Sequence, residues 1–149
     1  EMLNWTFLNL KPYQLMAQKY LGVVDLMDNP KALKNFMRME KWIFDSPDQA
    51  GETFRQFAKD FFQQHKLMTG EVEIGDYTVD LKDVRMPVLN VFAEQDHLVP
   101  PDSSKAMKKL IGSRDYTELS VPGGHIGIYV SGKSQKMVPP GIGEWLNER

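Results

Sequence analysis

The stretch from Pro87 to Pro101, PVLNVFAEQDHLVPP, constrains this chain more than any other. Val88 to Ala93 is a short apolar run rich in β-branched and aromatic residues, which reads as a buried strand. It then stops in Glu94, Asp96, His97 and the pair Pro100-Pro101, and prolines cannot continue a central strand. A carboxylate at the carboxyl end of such a strand lies where open α/β sheets place their chemistry. Further on, Pro122-Gly123-Gly124-His125-Ile126-Gly127 offers a histidine in a glycine-rich loop, directly after a second strand-like run from Tyr116 to Val121.

Composition narrows the function classes. With 18 basic and 20 acidic residues the formal net charge is −2, which argues against a nucleic-acid binder working through a basic field. No apolar run approaches the ~18 residues of a membrane span. The start, Glu1-Met2-Leu3-Asn4-Trp5, has neither the basic region nor the apolar core of a signal peptide. It also lacks an initiating methionine, so a processed or truncated chain is expected. There is no cysteine. That removes disulfides, thiolate metal sites and a cysteine nucleophile from these residues. Three scattered histidines give no metal-ligand spacing.

Residues 1–70 read as helical and rich in aromatics. A helix over about 12–26 is expected from Met16, Tyr20 and Val23 or Val24, and Asn29-Pro30 supplies an N-cap followed by proline at the first helical position. Leu33, Phe36, Met37 and Ile43 form the apolar face of the next helix. Ser46-Pro47-Asp48-Gln49 is a second start signal, with Ser46 as cap and Gln49 in capping-box position. Phe54, Phe57, Ala58 and Phe61 then share one helix face. At residue 71 the pattern changes. Glu71–Ile74 and Tyr77–Asp80 alternate around Gly75-Asp76, a two-residue hairpin signal. The strand at 88–93, a helix over about 102–111, the strand at 116–121 and a helix over 137–147 complete the chain. A strand–helix–strand crossover of this length implies a parallel pair. The expected division is therefore a mainly helical region over 1–70 and part of an α/β core over 71–149.

The chemistry is expected at Asp96 and His125. An imidazole that accepts a proton needs a carboxylate on its other nitrogen to fix the tautomer and stabilise the cation. The competing structural reading makes Asp96 a turn aspartate and His125 a packed loop histidine. His97 and Ile126 flank the pair and are expected to touch substrate or to buttress the site, while His65 reads as a solvated residue near a helix end. A nucleophile is missing: none of the serines at 46, 103, 104, 113, 120, 131 and 134 sits in Gly-x-Ser-x-Gly. Gly127 to Ser134 does match Gly-x4-Gly-Lys-Ser, the phosphate-loop pattern. However, Ile128-Tyr129-Val130 are bulky where such a loop wraps phosphate with small residues. Nucleotide hydrolysis is therefore not expected.

On the residues Phe36–Pro47, Gly51–Arg55, Asp96–Pro101 and Gly123–Gly127, the chain resembles the polyhydroxyalkanoate synthases, most closely the catalytic subunit of the two-subunit, class III type. The resemblance covers essentially the whole chain. It implies the C-terminal portion of an α/β-hydrolase core, with parallel strands and crossover helices, preceded by a helical cap region. It implies polymerisation of (R)-3-hydroxyacyl-CoA into a polyester with release of coenzyme A, by a cysteine nucleophile in a lipase-like box. By position, Asp96 matches the family's catalytic aspartate and His125 its catalytic histidine. Asp96 then either orients His125 or helps deprotonate the 3-hydroxyl of the monomer. The cysteine-bearing half is absent from this sequence, so the segment alone is expected to be inactive. The implied partners are the acyl-CoA and the growing polyester, an accessory synthase subunit, the N-terminal half and further copies of the chain. No cofactor or metal is implied, nor a nucleic-acid partner or membrane span, and the implied location is cytoplasmic, at the surface of storage granules. Two other readings stand beside this one: part of a serine esterase or depolymerase, and a non-catalytic interaction module.

Overall fold

The computed structural model describes residues 17–45 and 47–149. The expected start of the first helix at 12–16 and the Ser46 cap lie outside these residues. The chain divides into two compact units, the second beginning at Gly51.

In the first unit, α1 (Gln18–Val24) is followed by α2 (Pro30–Phe44). Asn29 caps α2 as expected, its Oδ1 accepting from Ala32 N at 3.1 Å with Pro30 behind it. The two helices are tied where Tyr20 donates to Glu40 Oε2 at 3.1 Å and Lys19 pairs with the same carboxylate. The ring of Tyr20 meets Phe36 edge-on, with centroids 6.5 Å apart.

In the second unit, α3 (Gly51–Gln56) starts later than the expected capping box and continues as a π-helical stretch over Phe57–Gln63. The widened turn breaks the expected single face: Phe57 lies 43% exposed and packs on Phe61 and Phe62. It also turns Asp60 inward, where Lys66 Nζ meets it at 3.0 Å. After α4 (Lys66–Thr69) comes the hairpin β1 (Val72–Ile74) and β2 (Tyr77–Val79), paired Val72↔Val79 to Ile74↔Tyr77. Gly75, at φ +60°, is the turn's one residue with positive φ, which fits a type II′ connection.

The second sheet sets β3 (Val88–Ala93) beside β4 (Tyr116–Val121). They run parallel, in register from Val88↔Tyr116 to Ala93↔Val121, as the crossover length implies. Phe92, Ala93 and Val121 are buried, and so is Ile111 at the end of the crossover. The crossover differs from the expected single helix. It is split at Ala106 into α5 (Pro101–Lys105) and α6 (Met107–Leu110). The buried Asn90 of β3 anchors this region, donating to Ser104 O and Tyr116 Oη and accepting from Ser104 Oγ at 2.8 Å. Gly112 closes the crossover against Lys82, whose carbonyl oxygen occupies the place a Cβ would need.

The chain ends in α7 (Gly127–Val130) and α8 (Gly132–Asn147). The last helix begins five residues before the expected Met137, because Ser131 caps it by accepting from Ser134 N at 3.1 Å. Pro139 and Pro140 therefore lie inside the helix rather than in its first turn. Gly141 lets α8 press on β4, since a Cβ there would sit 2.9 Å from Leu119 Cδ2. Trp145 is half-buried, whereas Leu146 is 58% exposed. Among the described residues no helix is long and apolar enough to cross a membrane.

Candidate active site

Parallel pairing puts the carboxyl ends of β3 and β4 side by side, so the segments leaving them are neighbours despite nearly thirty intervening residues. The last rung is Ala93↔Val121, and Glu94 N still reaches Val121 O at 2.9 Å. Ser120 Oγ reinforces it by donating to Glu94 Oε1 at 2.7 Å. Beyond the ladder, Gln95 holds both backbone groups of Gly123. Its N–H donates to Gly123 O at 2.9 Å, and its Oε1 accepts from Gly123 N at 2.6 Å. Gly123 sits at φ +129°, a conformation side chains disfavour, and the loop turns there toward the acid.

The result is a hydrogen bond of 2.8 Å between His125 Nδ1 and Asp96 Oδ2. The two oxygens of Asp96 have separate tasks. Oδ1 accepts from the N–H groups of Leu98 and Val99, both at 2.9 Å, closing the turn that leads into Pro100 and α5. Oδ2 is left for the imidazole. Asp96 thus closes the turn with one oxygen and meets His125 with the other. Burial pushes the Asp96 carboxyl up, but donation from Val99, His125 and Leu98 outweighs it, holding the group below its ordinary 3.8. An ionised carboxylate only accepts, so Nδ1 is the donor in this bond and Nε2 is left outside it. The Asp96 side chain is 9% exposed and that of His125 35%, so the carboxylate is shielded while the imidazole stays reachable.

The neighbours fall differently. His97 is exposed, and Ile126 is half-buried at the start of α7. His65 is exposed, with backbone at φ 52° ahead of α4. An open groove of about 450 Å³ lies elsewhere, along Met68, Asp102, Lys105 and Lys109, and contains neither Asp96 nor His125. Among the described residues no three His, Cys, Asp or Glu side chains cluster as a metal site. The phosphate-loop pattern dissolves on folding. Ile128 to Val130 are helical, and their amides and that of Ser131 bond to the preceding turn. Sequence reasoning missed Gln95, because nothing local marks a glutamine whose partner lies 28 residues on.

The α/β hydrolase fold family matches residues 1–131. The poly(3-hydroxyalkanoate) polymerase subunit PhaC of Allochromatium vinosum is 68% identical over 149 residues, which is all of this chain and 42% of that protein. Its counterpart in Thiocystis violacea is 64% identical over the same coverage, and that of Haloferax mediterranei is 37% identical over 30% of its length. The chain therefore spans less than half the length of these relatives. A parallel strand pair ending in a hydrogen-bonded acid and histidine agrees with that match: the chain belongs to the α/β-hydrolase fold family, where its relatives are poly(3-hydroxyalkanoate) polymerase subunits.

Proposed function

We propose that this chain is the C-terminal part of a polyhydroxyalkanoate synthase and supplies the acid and base of its active site. The observation that carries the reading is the 2.8 Å bond between His125 Nδ1 and Asp96 Oδ2 at the ends of adjacent parallel strands. In hydrolases of this fold the nucleophile precedes the acid and the histidine comes after it. The missing nucleophile therefore belongs upstream, and the family resemblance implies that it is a cysteine. His125 Nε2 takes the proton of that thiol, and the thiolate attacks the acyl carbonyl of a 3-hydroxyacyl-CoA thioester. Coenzyme A leaves as its thiol, and the acyl group is carried on the enzyme until the 3-hydroxyl of the next unit attacks it. Asp96 stabilises the imidazolium in each half-reaction. The reaction needs no cofactor beyond the thioester substrate. Residues 1–70 serve as the cap region and 71–149 as the core.

Large apolar side chains left open in the second unit, among them Tyr77 at 79% and Met86 at 61%, are consistent with a segment that is covered in a longer protein. The covering partners in this reading are the cysteine-bearing half, an accessory subunit, a second copy and, at the granule surface, the polyester itself.

The test is complementation. Mixing this chain with the cysteine-bearing remainder of the subunit is expected to restore thiol release from 3-hydroxybutyryl-CoA, and His125→Ala to abolish it. Folded halves that associate yet release no thiol, with or without His125, would overturn the assignment.

A further inference from the structure

We propose that Gln95 is a positioning residue that holds His125 against Asp96 by clamping Gly123. The inference rests on the reading of Asp96 and His125 as acid and base. It comes from where the β3–β4 ladder ends. The final rung is Ala93↔Val121, and past it the two segments have no further strand pairing. Gln95 supplies one more tie by other means. Its backbone N–H donates to Gly123 O, and its side-chain Oε1 accepts from Gly123 N, at 2.9 and 2.6 Å. A single residue thus satisfies both backbone polar groups of Gly123.

The placement gives the clamp its leverage. Gln95 directly precedes the acid, and Gly123 lies two residues before the base. Gly123 is also the loop's residue of positive φ, at +129°, so a shift in its peptide orientation swings the histidine beyond it. Packing does not explain the glutamine side chain: Gln95 is exposed, and its Nε2 makes only a long 3.4 Å approach to Glu94. Without an acceptor at Oε1, the N–H of Gly123 loses its partner in the fold, and Gly123 stays tied to residue 95 only through its carbonyl oxygen. A misplacement of the base by ~1 Å can cost about 100-fold in rate without touching substrate affinity.

The experiment uses the complete polymerase subunit that contains this segment. Gln95→Leu keeps the bulk and removes the acceptor; Gln95→Glu keeps the acceptor and exchanges the long contact to Glu94 for an exposed, solvent-screened carboxylate beside it. Expected is a fall of about 10- to 100-fold in kcat for Gln95→Leu with KM within about twofold, and activity within about threefold of wild type for Gln95→Glu. In the same proteins, the downfield proton resonance of His125 Nδ1–H bonded to Asp96 should be sharp in wild type and Gln95→Glu and lost in Gln95→Leu. Retention of both kcat and the resonance in Gln95→Leu would overturn the proposal. Equal losses in the Leu and Glu variants would do so too, since the acceptor would then not be what matters. Should the wild-type subunit release no thiol, the functional reading fails, while the resonance still decides the positioning role.

Discussion

Two neighbouring glycine-bearing stretches, 122–127 and 127–134, have opposite fates. The second matches a well-known ligand-binding pattern and builds no such site; the first matches none as specific and holds the histidine. In the second stretch the hydrogen bonds close locally. Ser134, 1% exposed, shares its hydroxyl proton between the carbonyls of Gly127 and Ile128, both at 2.8 Å, and its N–H goes to Ser131 Oγ. In the first stretch the partners come from the other strand's end: Gln95 for Gly123, Asp96 for His125. A stretch whose hydrogen bonds close on themselves makes a rigid turn. One whose hydrogen bonds are completed by a distant segment can leave a nitrogen free for chemistry.

The sharpest way to break this comparison is to exchange the expected losses. In the complemented enzyme His125→Ala should reduce thiol release by about 1,000-fold or more, because in the proposed mechanism the general base is lost and Asp96 has no cation to stabilise. Ser134→Ala should leave turnover per folded molecule intact but lower unfolding free energy in urea by about 1–3 kcal/mol, the range for stranding buried carbonyls. Gly123→Ala should cost about 1–2 kcal/mol in the same assay, since its φ of +129° strains any Cβ. It should also reduce turnover, which Ser134→Ala does not.

Acid adds a finer distinction. Asp96 titrates below its ordinary 3.8 in the folded chain, so its contribution is complete above that pH and is lost as pH falls through the folded value. The stability gap between wild type and Asp96→Asn should therefore narrow below pH 3.8. The gap for Ser134→Ala should stay constant, because a hydroxyl network has no proton to gain there. Smallest of all, Lys133→Ala should change stability by less than about 0.5 kcal/mol and leave turnover alone, since Lys133 is exposed on α8. A loss of turnover with Lys133→Ala comparable to that of His125→Ala would restore the phosphate-loop reading.

The elements nearest the site were the most legible. Val88–Ala93 and Tyr116–Val121 stand at the residues their apolar runs mark, and Gly75 turns the hairpin as its type requires. The helices were less so. The π-helical widening at Phe57–Gln63 redistributed a phenylalanine face that a 3.6-residue period had aligned, and the crossover broke at Ala106, which no proline or glycine announces. Ser131 began the last helix early because a short side chain could cap it, a local bond that the prolines downstream obscured. Those errors share one cause: a helix boundary is decided by a hydrogen bond or two worth about 1 kcal/mol each, within reach of competing local bonds.

By itself the sequence determined the strands, their parallel order and the residue types at their ends, because alternation, apolar runs and crossover length act over a few neighbouring residues. Only the tertiary structure decided which nitrogen of His125 is held, which oxygen of Asp96 holds it, and that Gln95 ties the two loops together. Those bonds join residues 28 and 29 positions apart. Their geometry depends on the β3–β4 register, which no local pattern carries.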